Sequence, residues 1–276
     1  MVVLVTGGNG QLGQALQAIA PQYNNAIEFY FASSQEADIT DEASLKAVFD
    51  KVKPDFCINA AAYTAVDKAE SEPEKAHHIN AVGAKNLAEA CKQHNTALIH
   101  ISTDFVFDGK KTTPYTEEDE TDPQGVYGLT KLQGELEIQN ALAEYFIVRT
   151  SWLYSEYGNN FMKTMIRLAS ERDSLSVVDD QTGTPTNAND LAHALVQMIK
   201  SGIKEYGIYH YSNEGSATWY DFAKKIFEIN NIAIDLHPIP TSAYPTPAKR
   251  PEYSVLDKSK IKKVFGMEIR AWEEVI

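Results

Sequence analysis

Short, mostly apolar runs alternate with longer amphipathic stretches from the first residue to about Thr150. The runs are 2–5, 27–32, 56–58, 97–101 and 146–149. Apolar residues at consecutive positions mark strands buried on both faces, as in a parallel sheet. The stretches between them, Gln14 to Ala20, Glu42 to Val52 and Glu74 to Gln93, place apolar residues at helical spacing. Strand and helix in strict alternation predict an α/β fold, a Rossmann-type doubly wound parallel sheet over residues 1–150.

After Thr150 the pattern changes. Asn159-Asn160-Phe161 opens a helix to about Glu171, Leu175 to Val178 is a short strand, and Gln181 to Thr186 is a polar loop. Asn187 to Lys200 reads as helix and Gly207 to Tyr211 as strand. Thr218 caps a helix to about Asn230, prolines crowd Pro238 to Pro251, and Asp257 to Phe265 is helical. The expectation is a smaller substrate lobe over 151–276, interleaved with the first domain, which segments near 187–212 rejoin.

Composition narrows the partners. A net charge of −13 over 276 residues argues against nucleic acid and against anionic membranes. Met1 leads straight into Val2–Val5, too short for a leader or a span. Cys57 and Cys91 form neither a disulfide framework nor a zinc pattern, so a cytoplasmic protein with reduced thiols and no metal site is expected.

The first strand runs into Thr6-Gly7-Gly8-Asn9-Gly10-Gln11-Leu12-Gly13, followed by helix. Glycines there permit a tight turn and close approach to a pyrophosphate, with N–H groups and the helix dipole aimed at the anion. The second strand runs into Ser33-Ser34-Gln35, with no carboxylate at its tip to hold a ribose 2′-hydroxyl and no arginine to grip a 2′-phosphate. NADPH is therefore expected, with NADH accepted measurably. Asp38-Ile39 is placed for adenine.

Asn59-Ala60-Ala61-Ala62 ends the third strand with small residues, where a ligand can lie against backbone or a helix can pack closely. Asn80 either braces the site or sits on a helix surface. The strand 97–101 ends in Ser102-Thr103-Asp104, and His100 within it reads as a packed core histidine. Tyr127 and Lys131, four apart, share a helix face. A phenol with an ordinary pKa near 10 becomes a useful acid if an ammonium lowers it. Thr103 would then polarise a carbonyl while Tyr127 delivers the proton. Trp152 either stacks on a ligand face or belongs to the core, and Lys249 with Arg250 are the cations suited to a substrate diphosphate.

Thr103, Tyr127, Lys131 and the glycine loop together resemble the extended short-chain dehydrogenases/reductases. Ser102 to Gly109, Ala60 to Glu70, and Arg250-Pro251 with Ser254-Val255-Leu256-Asp257 narrow the resemblance to the dTDP-4-dehydrorhamnose reductase family, over nearly the whole chain. The resemblance implies NADPH-dependent reduction of the C4 ketone of dTDP-6-deoxy-L-lyxo-4-hexulose to dTDP-L-rhamnose, a cell-wall sugar donor. It implies catalysis by Thr103, Tyr127 and Lys131. Cofactor contacts would come from Gly7, Asn9, Gly10, Gln11, Leu12, Gly13, Ser33, Asp38, Ile39 and Ala60 to Ala62, with Tyr127 and Lys131. Thr64, Val66, Thr103, Asp104, Trp152, Lys249 and Arg250 would contact the dTDP-linked 4-keto-6-deoxy sugar. Ala15 stands where some relatives carry an acid associated with a metal-bridged dimer, which leaves Mg2+ and the choice of monomer or homodimer open. Two other readings stay in view: an epimerase or dehydratase of nucleotide sugars, and a non-catalytic, cofactor-binding regulatory subunit.

Overall fold

In β1 (Val2–Thr6), Val3 and Val5 point into one apolar core and Leu4 into another. Period-two alternation with apolar residues on both sides is what a strand covered by helices on each face requires. A computed structural model describes residues 1–276. β2 (Glu28–Ala32), β3 (Phe56–Asn59), β4 (Ala97–Thr103), β5 (Tyr145–Thr150) and β6 (Gly207–His210) complete one parallel sheet in the order β6-β5-β4-β3-β1-β2. The order reverses between β1 and β3, so neighbouring crossovers leave to opposite faces and a crevice opens at the strands' carboxyl ends.

The main helices are α1 (Gln11–Ile19), α2 (Glu42–Val52), α3 (Gly83–His94), α4 (Val126–Ala141), α5 (Phe161–Glu171), α6 (Ala188–Ser201) and α7 (Trp219–Ile229). Leu16 of α1 and Leu191, Leu195 and Ile199 of α6 fill one core with Val3, Val5, Ile58 and Val148. Val48 and Phe49 of α2, Leu87 and Cys91 of α3 and Ile138 of α4 fill the other with Leu4, Leu98 and Ile147. Each such side chain contributes about 1.5–3 kcal/mol by leaving water. Ala15 is wholly inside the first core.

The stretch expected as one helix from Glu74 is α-helical over Pro73–His77, makes a π-helical turn over His78–Val82, and resumes as α3. The turn carries Asn80 inward, where its amide takes the Tyr63 N–H at 2.8 Å and donates to the Tyr63 carbonyl at 3.1 Å and the Thr130 hydroxyl at 3.1 Å. A buried amide with its bonds made stabilises an otherwise rare helical turn. Asn80 is therefore the brace between the β3 loop and α4.

The remaining segments form a third core of Tyr154, Leu175, Phe222, Ile226 and Trp272. Asn160 caps α5, and Thr218 with Asp221 forms a capping box on α7. Asp235–Ile239, which the prolines had masked, pairs in parallel with Ser174–Val178 as an edge strand, where Pro238 breaks little. No helix is long and apolar enough to cross a membrane.

Candidate active site

The glycine loop meets the end of β3. Gly7 has φ +69°, and a Cβ there would stand 2.7 Å from the backbone of Ala60 and Ala61; one on Gly13 would stand 2.4 Å from the Gly7 and Gly8 carbonyls. Gly10 closes the turn by donating to the Gly7 carbonyl at 2.9 Å and precedes α1. A bare turn opening a helix suits a pyrophosphate. Asn9 is exposed, Leu12 is core, and Gln11 ties the loop to the second lobe, donating to the Leu153 carbonyl at 3.0 Å and accepting from Asn160 at 2.7 Å.

At the tip of β2 the sequence reading needs correction. The Ser33 N–H and hydroxyl donate to the Glu36 carboxylate at 2.9 and 2.8 Å, so a turn brings an acid back to the strand end. Those bonds, the backbone one foremost, hold Glu36 below the usual carboxylate range. Beyond it the Asp38 carboxylate accepts from the Thr40 N–H and hydroxyl at 2.9 and 2.7 Å. The Ile39 side chain is buried against Gly83 and its carbonyl accepts from Asn86, so Asp38 carries the exposed polar atoms of that pair.

β4 outruns β3, placing Thr103 beyond the register partner of Asn59 and level with Thr150 of β5. The Thr103 hydroxyl donates to Asp104 Oδ1 at 3.0 Å and accepts from the Phe105 N–H at 3.2 Å, and the Phe105 ring of that turn lies edge-on to Tyr127 with centroids 5.6 Å apart. Burial pushes Tyr127 up to about 12; the Thr103 contact opposes this and the Asp104 charge adds to it. Burial likewise raises Asp104 to about 6, against lowering contacts from Ser254 and Thr103, and its Oδ2 has no well-formed hydrogen bond.

Lys131, 2% exposed, spends the hydrogen bonds of its Nζ on β4. It donates to the Ile101 carbonyl at 2.7 Å and lies 3.1 Å from His100 Nε2. Burial lowers Lys131 to about 8, opposed by the charge of Glu135. The expected lowering of the Tyr127 pKa by Lys131 is thus not what this arrangement produces, because desolvation acts on both groups and the ammonium is directed elsewhere. One turn further along α4, Glu135 is sealed against Arg149 at 2.7 Å and takes the Ser102 hydroxyl. His100 is buried as expected, but its contact with Lys131 went unseen in the sequence.

Trp152 follows β5 with φ +46°, and its ring stacks on Trp219 with centroids 3.5 Å apart. That face is covered, and the ring remains only partly buried. Arg250 is not an unengaged cation. Its guanidinium makes a two-pronged pair with Asp67 at 3.0 and 2.9 Å, while Lys249 is exposed. Thr64 is exposed and Val66 opens the short helix Val66–Ala69. No group of three or more His, Cys, Asp or Glu side chains is placed to hold a metal ion.

The RmlD substrate binding domain model matches residues 1–276. The chain is 42% identical to a dTDP-4-dehydrorhamnose reductase of Aggregatibacter actinomycetemcomitans, across 99% of this chain and 96% of the relative. The chain belongs to the dTDP-4-dehydrorhamnose reductase family. A crystal structure of a dTDP-4-dehydrorhamnose reductase from Clostridium acetobutylicum superposes with a TM-score of 0.94 at 43% identity, covering 100% of this chain and 96% of that one. A Bacillus anthracis dTDP-4-dehydrorhamnose reductase in complex with NADP superposes with a TM-score of 0.95 at 41% identity, covering 99% and 96%.

The stretches that carry the likeness to the dTDP-4-dehydrorhamnose reductases hold this site together. Glu70 accepts from the Val126 N–H at 2.8 Å, an anion on the N-terminus of the helix bearing Tyr127. Asp67 takes Arg250. The segment from Pro251 to Leu256 is strung between the stretch after β4 and the Thr182 loop: Tyr253 donates to the Gly109 carbonyl at 3.1 Å, Ser254 to Thr182 at 2.8 Å, and Tyr115 to Val255 at 2.8 Å. A Cβ on Gly128 would lie 2.1 Å from the Phe105 carbonyl oxygen, so glycine lets α4 press onto the turn that follows Thr103.

Proposed function

We propose that the protein is an oxidoreductase that uses NADPH to reduce the C4 ketone of dTDP-4-dehydrorhamnose to dTDP-L-rhamnose. The observation that carries this reading is the packing of α4 onto the turn after Thr103 at the carboxyl end of β4, which sets Tyr127 beside that turn, with Lys131 buried one turn along α4. Relatives about 40% identical bear the name of this activity, and one of them was solved with NADP. The bare glycine turn at α1, the small residues Ala60 to Ala62 beside it and the exposed Asp38 fit a dinucleotide along the crevice.

Bound there, the cofactor supplies the hydride. Thr103 and Tyr127 present hydroxyls to the oxygen on which negative charge develops. Tyr127, raised to about 12, keeps its proton through neutral pH and gives it up only to a stronger base such as an alkoxide. Lys131 lies between α4 and the end of β4, where its ammonium form would contact the nicotinamide ribose and offset the phenolate left by transfer. Lys249 on the proline loop serves the substrate diphosphate, and Arg250, engaged by Asp67, shapes the same wall. Phe105, edge-on to Tyr127 with centroids 5.6 Å apart, supplies no base, which favours reduction over dehydration.

The test is turnover. Supplying the 4-keto sugar nucleotide with NADPH should yield the 4-hydroxy product, and Tyr127→Phe should lower kcat by about 10²–10⁴ with NADPH affinity nearly unchanged. No consumption of NADPH by the wild type, or near-normal kcat in the variant, would overturn the reading.

A further inference from the structure

A chain of buried side chains crosses the sheet beneath the site, from Thr6 of β1 through Asn59 of β3 and His100 of β4 to Lys131 of α4. Its hydrogen-bond directions can be read from one end. Asn59 Oδ1 accepts from the Ala61 N–H at 3.1 Å and from the Thr6 hydroxyl at 2.8 Å. A backbone N–H can only donate, so the oxygen of that amide is fixed and its nitrogen must face His100. Asn59 Nδ2 therefore donates to His100 Nδ1 at 2.9 Å, and the imidazole proton resides on Nε2. That N–H points at Lys131 Nζ, 3.1 Å away. An ammonium has no lone pair to receive it. A neutral amine does, and still has a proton for the Ile101 carbonyl at 2.7 Å.

We infer that Asn59 and His100 are positioning residues that hold Lys131 as a neutral amine, so that Lys131 takes up a proton from solvent only when its Nζ leaves His100 for the cleft. The consequence for the proposed reaction, on which this part alone rests, is that cofactor binding charges Lys131 rather than meeting a fixed cation. The surroundings agree. His100 is fully buried and held well below the ordinary imidazole range, by burial first and by any charge on Lys131 second, so it stays neutral in either state of Lys131. On α4, Glu135 is the charge that opposes neutral Lys131, and it is already matched by Arg149 of β5. Tyr127 and Asp104 lie on the cleft side, and the thiols Cys57 of β3 and Cys91 of α3 are buried in the apolar core of that face.

The test needs no substrate. Full-length protein labelled with 15N in the histidine rings and 13C at the lysine Cε is titrated by NMR, with His100→Gln and Lys131→Met used to assign the signals. His100 should show the Nε2–H tautomer throughout the neutral range, and Lys131 should titrate below neutral pH, lower than the value of about 8 that burial and Glu135 set without the His100 donor. Asn59→Asp keeps the side chain's shape, but the new carboxylate demands a proton on His100 Nδ1 and so makes Nε2 an acceptor. His100→Gln offers an acceptor without adding charge. Each should raise the Lys131 midpoint by about one unit or more, since both remove a donor that favours the neutral form. NADPH binding near that midpoint should take up a proton in the wild type, seen as a buffer-dependent heat, and less in either variant. An Nδ1–H tautomer in the wild type, or an unmoved Lys131 midpoint in the variants, would overturn the inference. Absence of NADPH binding would instead count against the proposed reaction, leaving the titration result standing by itself.

Discussion

Asp67 and Arg250, 183 residues apart, are joined by two hydrogen bonds of 3.0 and 2.9 Å. The guanidinium also donates to the Thr246 hydroxyl at 2.6 Å, so the pair pins the proline loop to the helix that starts at Val66. The Arg250 and Asp67 side chains are 25% and 42% exposed, which limits the stability the pair contributes to about 1 kcal/mol or less. The Arg250 bond lowers the Asp67 pKa, so that contribution is present above the ordinary aspartate value and fades as acid protonates the carboxylate. Its larger effect is on shape. Arg250→Ala and Asp67→Asn should each raise KM for the sugar nucleotide about tenfold, leave the Kd for NADPH unchanged, and combine without further loss. If Asp67→Asn left KM alone while Arg250→Ala raised it, Arg250 would be a direct phosphate ligand rather than half of a clamp.

Asp104 gives a prediction about pH. Its carboxyl is raised to about 6, chiefly by burial. A raised acid makes the folded state bind a proton that the unfolded chain releases, so its contribution to stability is fully present below the unfolded value and lost as pH rises through about 6. Asp104→Asn mimics the protonated form. It should raise Tm at pH above that value and change it little in acid, with at most about 3 kcal/mol recovered. Thermal melts across pH decide it: an equal shift at every pH would show that Asp104 is not the titrating group.

Glu36 yields a prediction about cofactor choice. The carboxylate folded onto Ser33 puts one negative charge at the strand end, where a 2′-phosphate would add more. Glu36→Gln should increase the NADPH-to-NADH ratio of kcat/KM by roughly two- to fivefold, the scale of one exposed charge contact. An unchanged ratio would place the 2′-position away from Ser33.

The contrast among these residues shows what a sequence exposes. The strands were legible because parallel strands covered on both faces must be apolar runs, and Tyr127 and Lys131 because four residues make one helical turn. Thr103 followed from its place at a strand end. Glu36 lay in plain view as Ser33-Ser34-Gln35-Glu36, the Ser-x-x-Glu spacing that folds an acid back onto a serine, but attention to the strand's last residue passed it over. His100 and Asp67 were hidden for a different reason. Their partners, Lys131 and Arg250, are remote in the chain, and only the packing of α4 on β4 and of the proline loop on Val66–Ala69 brings them together. Asn80 was ambiguous until a π-helical turn set its direction.

The tightest constraint on the candidate site falls on Gly128, directly after Tyr127. A Cβ there would sit 2.1 Å from the Phe105 carbonyl oxygen, and that atom is backbone, held in the turn that Thr103 caps at 3.2 Å. Relief therefore requires α4 to move off the end of β4. Such overpacking costs typically about 1–3 kcal/mol, and here the displaced helix carries Tyr127 away from Thr103. Gly128→Ala should lower Tm and also lower kcat beyond what the lost stability explains at temperatures where the variant is fully folded. Gly202→Ala is the control for general damage, since its Cβ would meet nothing within 4 Å and only its φ of +67° is unfavourable. It should lose stability and keep kcat. A folded Gly128→Ala protein with normal kcat would show that the contact between α4 and the Thr103 turn does not set the distance between the two hydroxyls.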